Sequence, residues 1–425
     1  MGGGGGPGGG GDPAGPDAGC DSGVPFTVVE QCDGINLGGA TCASLGFPGG
    51  ALACDSACFF ATNQCETCLP GPNVATCRHT ELDAAEPSAL AMTTTDQEIV
   101  VAWISGPGLA TSPSPTAAAS VRLARFGADL SLIAQSSCFG PAHARNIALA
   151  RSPSGFILAV EGDGGVTIQP LDSTGAPRAA SRVIANALQP VLGAREASGT
   201  MSGGPLLAWS VAPGAHPNPS GLAVQAELLG DDGTQETAPV TVFPVAEGTG
   251  YASAVFTGDG FLLADGSIAR VGLDGSVVGT SAPGPAEYTM LAWTGTEARV
   301  VYGDPAAQGA GVYWLRLDKS GAALGSPVLL TPSSTFYNVA PAVAMGDDTV
   351  VVLGGGSSTI DHSTHLGITR ISPTGTSLTA PFGVVQDPEL VAAPKVAVLG
   401  SQAVLAWVGG VNGYPGRIGL ALLNP

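Results

Sequence analysis

One pattern, written six times, limits what this chain can become. In residues 311–330, GVYWLRLDKSGAALGSPVLL, the stretch 312–317 is rich in β-branched, aromatic and aliphatic residues and reads as a strand. Asp318, Lys319, Ser320 and Gly321 follow as a turn, and 324–330 reads as the return strand. The turn has a physical reason. An Asp side chain accepts a hydrogen bond from the backbone two residues on, and Gly takes the positive-φ position that closes a short hairpin. The same pattern recurs at 123–134, 168–179, 226–237, 269–280 and 368–379.

A second repeat precedes each hairpin. Four-residue apolar runs stand at VVAW (100–103), ILAV (157–160), LLAW (206–209), LLAD (262–265), RVVY (299–302), VVVL (350–353) and VLAW (404–407). These seven copies recur about every 51 residues, and periods of about 40–50 built from four short strands indicate β-propeller blades. Near-continuous apolar strands suit a position sandwiched between neighbouring blades. Within one blade, strand a is expected at 340–345, b at 349–353, c at 366–371 and d at 377–385. The last repeat offers a at 395–399, b at 403–408 and c at 417–423, and no d strand follows. A bare edge there would be a liability. The segment 73–81 is therefore expected to supply the missing outer strand, closing a seven-bladed all-β domain over 69–425. A pair of β-sandwiches or a β-helix is the competing architecture, and the terminal deficit of one strand favours the ring.

Composition separates the propeller from what precedes it. Residues 1–19 hold little but Gly, Pro, Ala and Asp and read as a disordered tether. Eight of the nine cysteines lie between Cys20 and Cys77, a density expected of an oxidising compartment. The first residues show neither a basic n-region nor an apolar h-region, so the expected export signal lies outside this chain. Cys20 follows Ala18-Gly19, a faint lipoprotein-type ending, although Asp17 stands where an apolar residue is expected. Residues 20–68 read as a small module whose core is too small to stand without covalent staples. Zinc is the rival reading, from Cys54-x3-Cys58 and Cys65-x2-Cys68, but six residues between the pairs is short for a zinc ribbon. A redox role for Cys65-x2-Cys68 lacks a βαβ setting.

The spacing EQCDG (30–34), GGATCASLGF (38–47), GGALAC (49–54) and CFFATNQC (58–65) closely resembles the cysteine-rich repeats of secreted and surface proteins from myxobacteria and their relatives. The opening Asp21-Ser22-Gly23 departs from the Gly-Asn/Asp-Gly usual there. The resemblance implies a disulfide-stapled extracellular module, with Cys20, Cys32, Cys42, Cys54, Cys58 and Cys65 as its disulfide residues and no catalysis. Cys68, Cys77 and Cys138 then leave one pair and one free thiol. More loosely, residues 85–425 resemble the degenerate propeller repeats of large exported myxobacterial proteins, which implies a fold and no reaction.

Chemistry is harder to find. No G-x-S-x-G elbow, HExxH or phosphate loop is present, and the boxes of sialidase, kelch and WD propellers are missing. Gly162-Asp163-Gly164-Gly165 lacks a calcium ligand ladder and reads as a turn. His362-x2-His365 is the only close histidine pair, and no third or fourth ligand accompanies it. Neither a metal nor a cofactor is expected. The net charge of −19 repels phosphate backbones, which argues against nucleic acid, and no apolar run is long enough to span a membrane.

The b-to-c connections are expected to be long at 105–118, 211–221, 303–310, 354–364 and 409–416, all on one face of the ring. Long loops on a rigid scaffold are where recognition is built. The binding-face candidates they carry are His216, Asn218, His362, His365, Asn412 and Tyr414. The expected function is non-catalytic binding or adhesion outside the cell or on its outer surface, by a monomer, to an extracellular glycan or protein. A polysaccharide hydrolase or lyase with carboxylates at the channel mouth, and an inert structural spacer, are the alternatives.

Overall fold

The computed structural model describes residues 77–84, 87–106, 120–136, 140–141, 143–197, 200–201, 203–211, 222–244, 253–281, 287–304, 311–332, 338–355, 363–378, 382–411 and 414–423, with short stretches between 37 and 66. Described residues of the first 76 form only two pairs of two-residue strands, Gly49–Gly50 with Cys65–Glu66 and Ala53–Cys54 with Phe60–Ala61. The side chains of Cys20, Cys32, Cys42, Cys54, Cys58 and Cys65, and the expected tether, lie outside what is described.

Seven four-stranded antiparallel units follow, and the expected seven-bladed all-β architecture is what forms. Blade 1 runs Pro87–Thr94, Glu98–Ser105, Ser120–Gly127 and Leu132–Gln135 as strands a to d. Blade 2 uses Ile147–Ser152, Gly155–Gly162, Gly165–Asp172 and Arg182–Ala185. Blade 3 uses Ala187–Gly193, Leu206–Val211, Ala223–Leu228 and Val240–Phe243, and blade 4 Ser253–Phe256, Gly260–Asp265, Ser267–Gly272 and Val277–Ser281. Blade 5 uses Glu287–Trp293, Ala298–Asp304, Gly311–Leu317 and Val328–Pro332. Blade 6 uses Asn338–Met345, Asp348–Gly355, Ser363–Ile371 and the first part of Phe382–Leu399. That last strand continues into strand a of blade 7, so rim and channel share one 18-residue strand. Blade 7 adds Gln402–Val411 and Tyr414–Leu423, and its outer strand is Cys77–Asp83, paired from Arg417↔Asp83 to Leu423↔Cys77. Each strand a touches the next, and the seventh touches the first, so the a strands enclose a central channel.

The apolar b strands explain why the blades stack. Ile99, Val101 and Trp103 point toward blade 7, while Val100, Ala102 and Ile104 point toward blade 2. Both faces of a b strand are therefore buried, which an alternating apolar and polar pattern could not satisfy. Among the described residues there are seven hydrophobic clusters, one in each gap between neighbouring blades. One gap also holds a buried charge. Arg299 of blade 5 is buried beneath Trp314, its guanidinium 5.2 Å from the ring centroid, and it pairs with Glu297. Burial, and then the nearby Arg316, lower its pKa to about 10, so it stays charged at neutral pH.

The six hairpins join strands c and d, and they share one backbone form. The residue at position 1 donates its N–H to the carbonyl of position 5, as Asp318 does to Ala322 at 2.9 Å. Position 4 is left-handed in all six: Leu130, Gly175, Gly233, Gly275, Gly321 and Gly375. The polar cap comes from either of two places. Asp172, Asp318 and Ser372 supply it from position 1. Asp129, Asp232 and Asp274 supply it from position 3. In the second set position 1 is glycine, because a Cβ on Gly272 would lie 2.6 Å from the Asp274 carboxylate. A Cβ on Gly375 would meet Trp314 of blade 5 at 2.9 Å, so each tip is also fitted to its neighbour. Leu130 is the exception, and its side chain fills the gap between blades 1 and 7.

Two expectations change. The return strand of the 311–330 hairpin starts at Val328 rather than at Leu324, and that of blade 6 at Phe382 rather than at Ser377. Each of these strands follows a proline, Pro327 or Pro381, which has no N–H to give a ladder. Only single bridges, Leu317↔Ala323 and Ile371↔Ser377, precede them. Among the described residues no helix is long and apolar enough to cross a membrane.

Deleting 77–83 is expected to lower ring stability by at least about 3 kcal/mol, because it bares an edge and removes Leu82 from the closing cluster. Urea unfolding checks this, and an unchanged midpoint would count against closure as a stabilising device. The hairpin carboxylates set an acid limit. The Thr174 and Ser320 hydroxyls, with backbone N–H groups, hold Asp172 and Asp318 below the usual carboxylate range. Their contribution is therefore full above about pH 4 and is lost as pH falls through the lowered folded values. The Asp172→Asn, Asp318→Asn double variant should show a flatter stability curve in acid than the parent.

Candidate functional site

Antiparallel alternation puts the b–c turns and the d–a links on one face, and the a–b turns and hairpins on the other. The described part of the first face carries a polar group astride blades 2 and 3. Glu161 ends strand b of blade 2 and is only 5% exposed. Its Oε2 accepts from Asn146 Nδ2 at 2.7 Å and from the Gln189 backbone N–H at 2.8 Å. Ser210, at the end of strand b of blade 3, donates to Gln189 Oε1 at 3.1 Å. Asn146 precedes strand a of blade 2, and Gln189 lies in the register break near the start of strand a of blade 3. The group therefore sits beside the channel mouth.

Backbone strain accompanies it. Among the described residues four non-glycine residues have positive φ, and three lie on this face: His143 (55°), Asn186 (59°) and Gln189 (49°). His and Asn tolerate this region better than most residues, whereas Gln does not. Such conformations cost about 1–3 kcal/mol and persist where surrounding contacts hold them. At Gln189 the contact is visible, since this geometry delivers its N–H to a buried carboxylate. Further out, Asp163 in the tight b–c turn of blade 2 pairs with Arg145 at 2.9 Å and stands 4.0 Å from His143. Among the described residues no group of three His, Cys, Asp or Glu could hold a metal ion.

The loop candidates fare differently. His216, Asn218, His362 and Asn412 lie outside the described residues. His365 and Tyr414 lie on strands, opposite Gly355 and Val411, and their side chains are not among those described. The expected 409–416 loop is mostly strand, because pairing continues through Gly410↔Pro415 and Val411↔Tyr414. None of the six joins the Glu161 group within the described residues. Glu161 itself was legible by position. The residue after each four-residue apolar run is Ile104, Glu161, Ser210, Gly266, Gly303, Gly354 or Val408, and only one of these is ionisable. Asn146 and Gln189 gave no such signal, since both are brought in by links between blades.

The fold defines the class: a seven-bladed β-propeller. No protein-family model and no curated protein matches the sequence. Among solved structures the chain is similar to the polysaccharide lyase Uly1, with a TM-score of 0.47 and 10% identity over 80% of this chain and 90% of that one. It is similar to the Dos1 propeller, with a TM-score of 0.46 and 10% identity over 81% and 94%. It is also similar to a subtype N10 neuraminidase-like protein of A/little yellow-shouldered bat/Guatemala, with a TM-score of 0.45 and 9% identity over 83% and 99%. These likenesses are ones of strand arrangement.

Glu161→Ala would leave the Gln189 N–H and the Asn146 amide without their acceptor. A loss of about 1–3 kcal/mol is expected in urea unfolding. A variant as stable as the parent would mean that water replaces the carboxylate at no cost.

Proposed function

We propose that this protein is an exported recognition propeller that binds a hydroxyl-rich, uncharged glycan at the b–c face, beside the channel mouth. The observation that carries the reading is the Glu161–Asn146–Gln189–Ser210 group. A carboxylate, two amides and a hydroxyl supply both donors and acceptors, the mixture that sugar hydroxyls need. Strained backbone at Gln189 and the mutual hydrogen bonds of the group hold them in place, so little ordering is left for binding. The net charge of −19 works against polyanionic glycans and leaves neutral ones as the better fit. Export and display at the outer surface are supported by the cysteine density before the ring, with residues 1–19 as tether and 20–68 as a stapled spacer.

Glu161 also supports a second reading. A buried carboxylate at a channel mouth, two residues before Asp163, is a starting point for acid–base chemistry on a glycosidic bond.

The test is binding of the whole purified chain to an array of neutral and acidic glycans, followed by incubation with each hit. A neutral hit weakened about tenfold or more by Gln189→Ala, with no new reducing ends or unsaturated products, is the expected outcome. Product release abolished by Glu161→Gln would favour the enzyme. A blank array would return the face to the role of an inert spacer.

A further inference from the structure

We propose that the gap between blades 7 and 1 holds a carboxylate, taken by two donors: the Lys395 side-chain amine and the Trp103 indole N–H. This site stands apart from the Glu161 group and does not depend on its reading.

The chain has only two lysines. Lys319 is a surface residue in a hairpin, paired with Asp259 at 3.0 Å. Lys395 is different. It lies on the innermost strand of blade 7, opposite Ala406 of strand b. Residues on the a strands keep part of their surface accessible, whereas the b strands behind them are almost wholly buried. Lys395 therefore sits where the channel reaches the gap between blades. Side chains alternate along a strand, so Lys395 shares a face with Leu399. Leu399 packs in the closing cluster with Leu90, Trp103 and Ala406. Thr94 of blade 1 bonds the Val398 carbonyl at 2.7 Å, which fixes the two inner strands side by side.

This surrounding is unsuited to a lone cation. The strands packed directly on this part of blade 7, Pro87–Thr94, Asn338–Met345 and Gln402–Val411, carry no ionisable residue, and the charge across the gap, Arg122 on Ser120–Gly127, is a second cation. On its own strand the acids are Asp387 and Glu389. Burial pushes the Lys395 amine below the ordinary lysine range, and among the described residues no charge offsets it. Trp103 is the second, independent sign. It is fully buried, and its Nε1 has no acceptor among the described residues. Opposite Trp103 on the next strand, and so on the same face, stands the buried Arg122 guanidinium. Lys395, Trp103 and Arg122 are all donors, and a buried donor without an acceptor costs about 1–3 kcal/mol. One carboxylate would satisfy the lysine and the indole and restore the lysine to its charged form. It could be a small organic acid from solution or a carboxylate of this chain, and the chemistry is the same.

Having two lysines makes the test direct. In whole protein labelled with ¹⁵N- and ¹³C-lysine, the Nζ and Cε signals of Lys395 are assigned with Lys395→Met. They are then titrated with pH, with and without acetate as the probe. The expected result is a saturable rise in the pH at which Lys395 titrates, with a shift of the Trp103 indole signal. Trp103→Phe, which keeps the packing, should weaken the half-saturation about tenfold or more. If Lys395 already titrates in the lysine range without acetate, and falls out of it in Asp387→Asn, Glu389→Gln, the carboxylate is the chain's own and the proposal stands. Lys395 titration indifferent both to acetate and to those substitutions would overturn it. So would an acetate response unchanged by Trp103→Phe.

Discussion

The structure depends on the burial of both faces of each b strand. A sheet with one wet face can stop at any edge, but a strand apolar on both sides needs a neighbour left and right. Ile99, Val101 and Trp103 need blade 7 as much as Val100, Ala102 and Ile104 need blade 2. A row of such units has two exposed ends, and only a ring has none. That is why the pairing of Cys77–Asp83 with Tyr414–Leu423 matters beyond its own hydrogen bonds. It joins the two ends of the propeller at the gap that would otherwise open.

The polar features follow from the same geometry. With the gaps filled by aliphatic side chains, charge inside them is held by partners, as Arg299 is by Glu297 and Trp314. Where strands run out at the b–c face, packing no longer decides the residue type. There a buried glutamate can hold the backbone of the neighbouring blade. Glu161 thus links blades 2 and 3 while leaving Asn146 facing solvent.

Much of the ring could be read from the sequence, because its determinants are local. The turn at Asp318–Gly321 was visible from residue types that act within four positions, and the b strands from unbroken apolar runs. What escaped was non-local. The late start of the outer strands depends on Pro327 and Pro381, whose missing N–H groups matter only once a partner strand is known. The polar group at the channel mouth escaped because its members are 15 and 28 residues from Glu161 and meet only when blades stack. Attention to long loops also led away from blade 2, whose b–c turn is among the shortest.

The six hairpins have one more consequence. In three a polar side chain reaches the cap site from position 1, and in three from position 3, yet in all six its oxygen accepts from the position-5 N–H. Moving the cap between the two positions also requires a glycine to appear or vanish, so intermediates with both or neither are handicapped. The copies have therefore settled into two spellings of one shape. Hairpins aligned letter by letter across that divide look less alike than their backbones are, so the likeness of the blades is plainer in their coordinates than in their text.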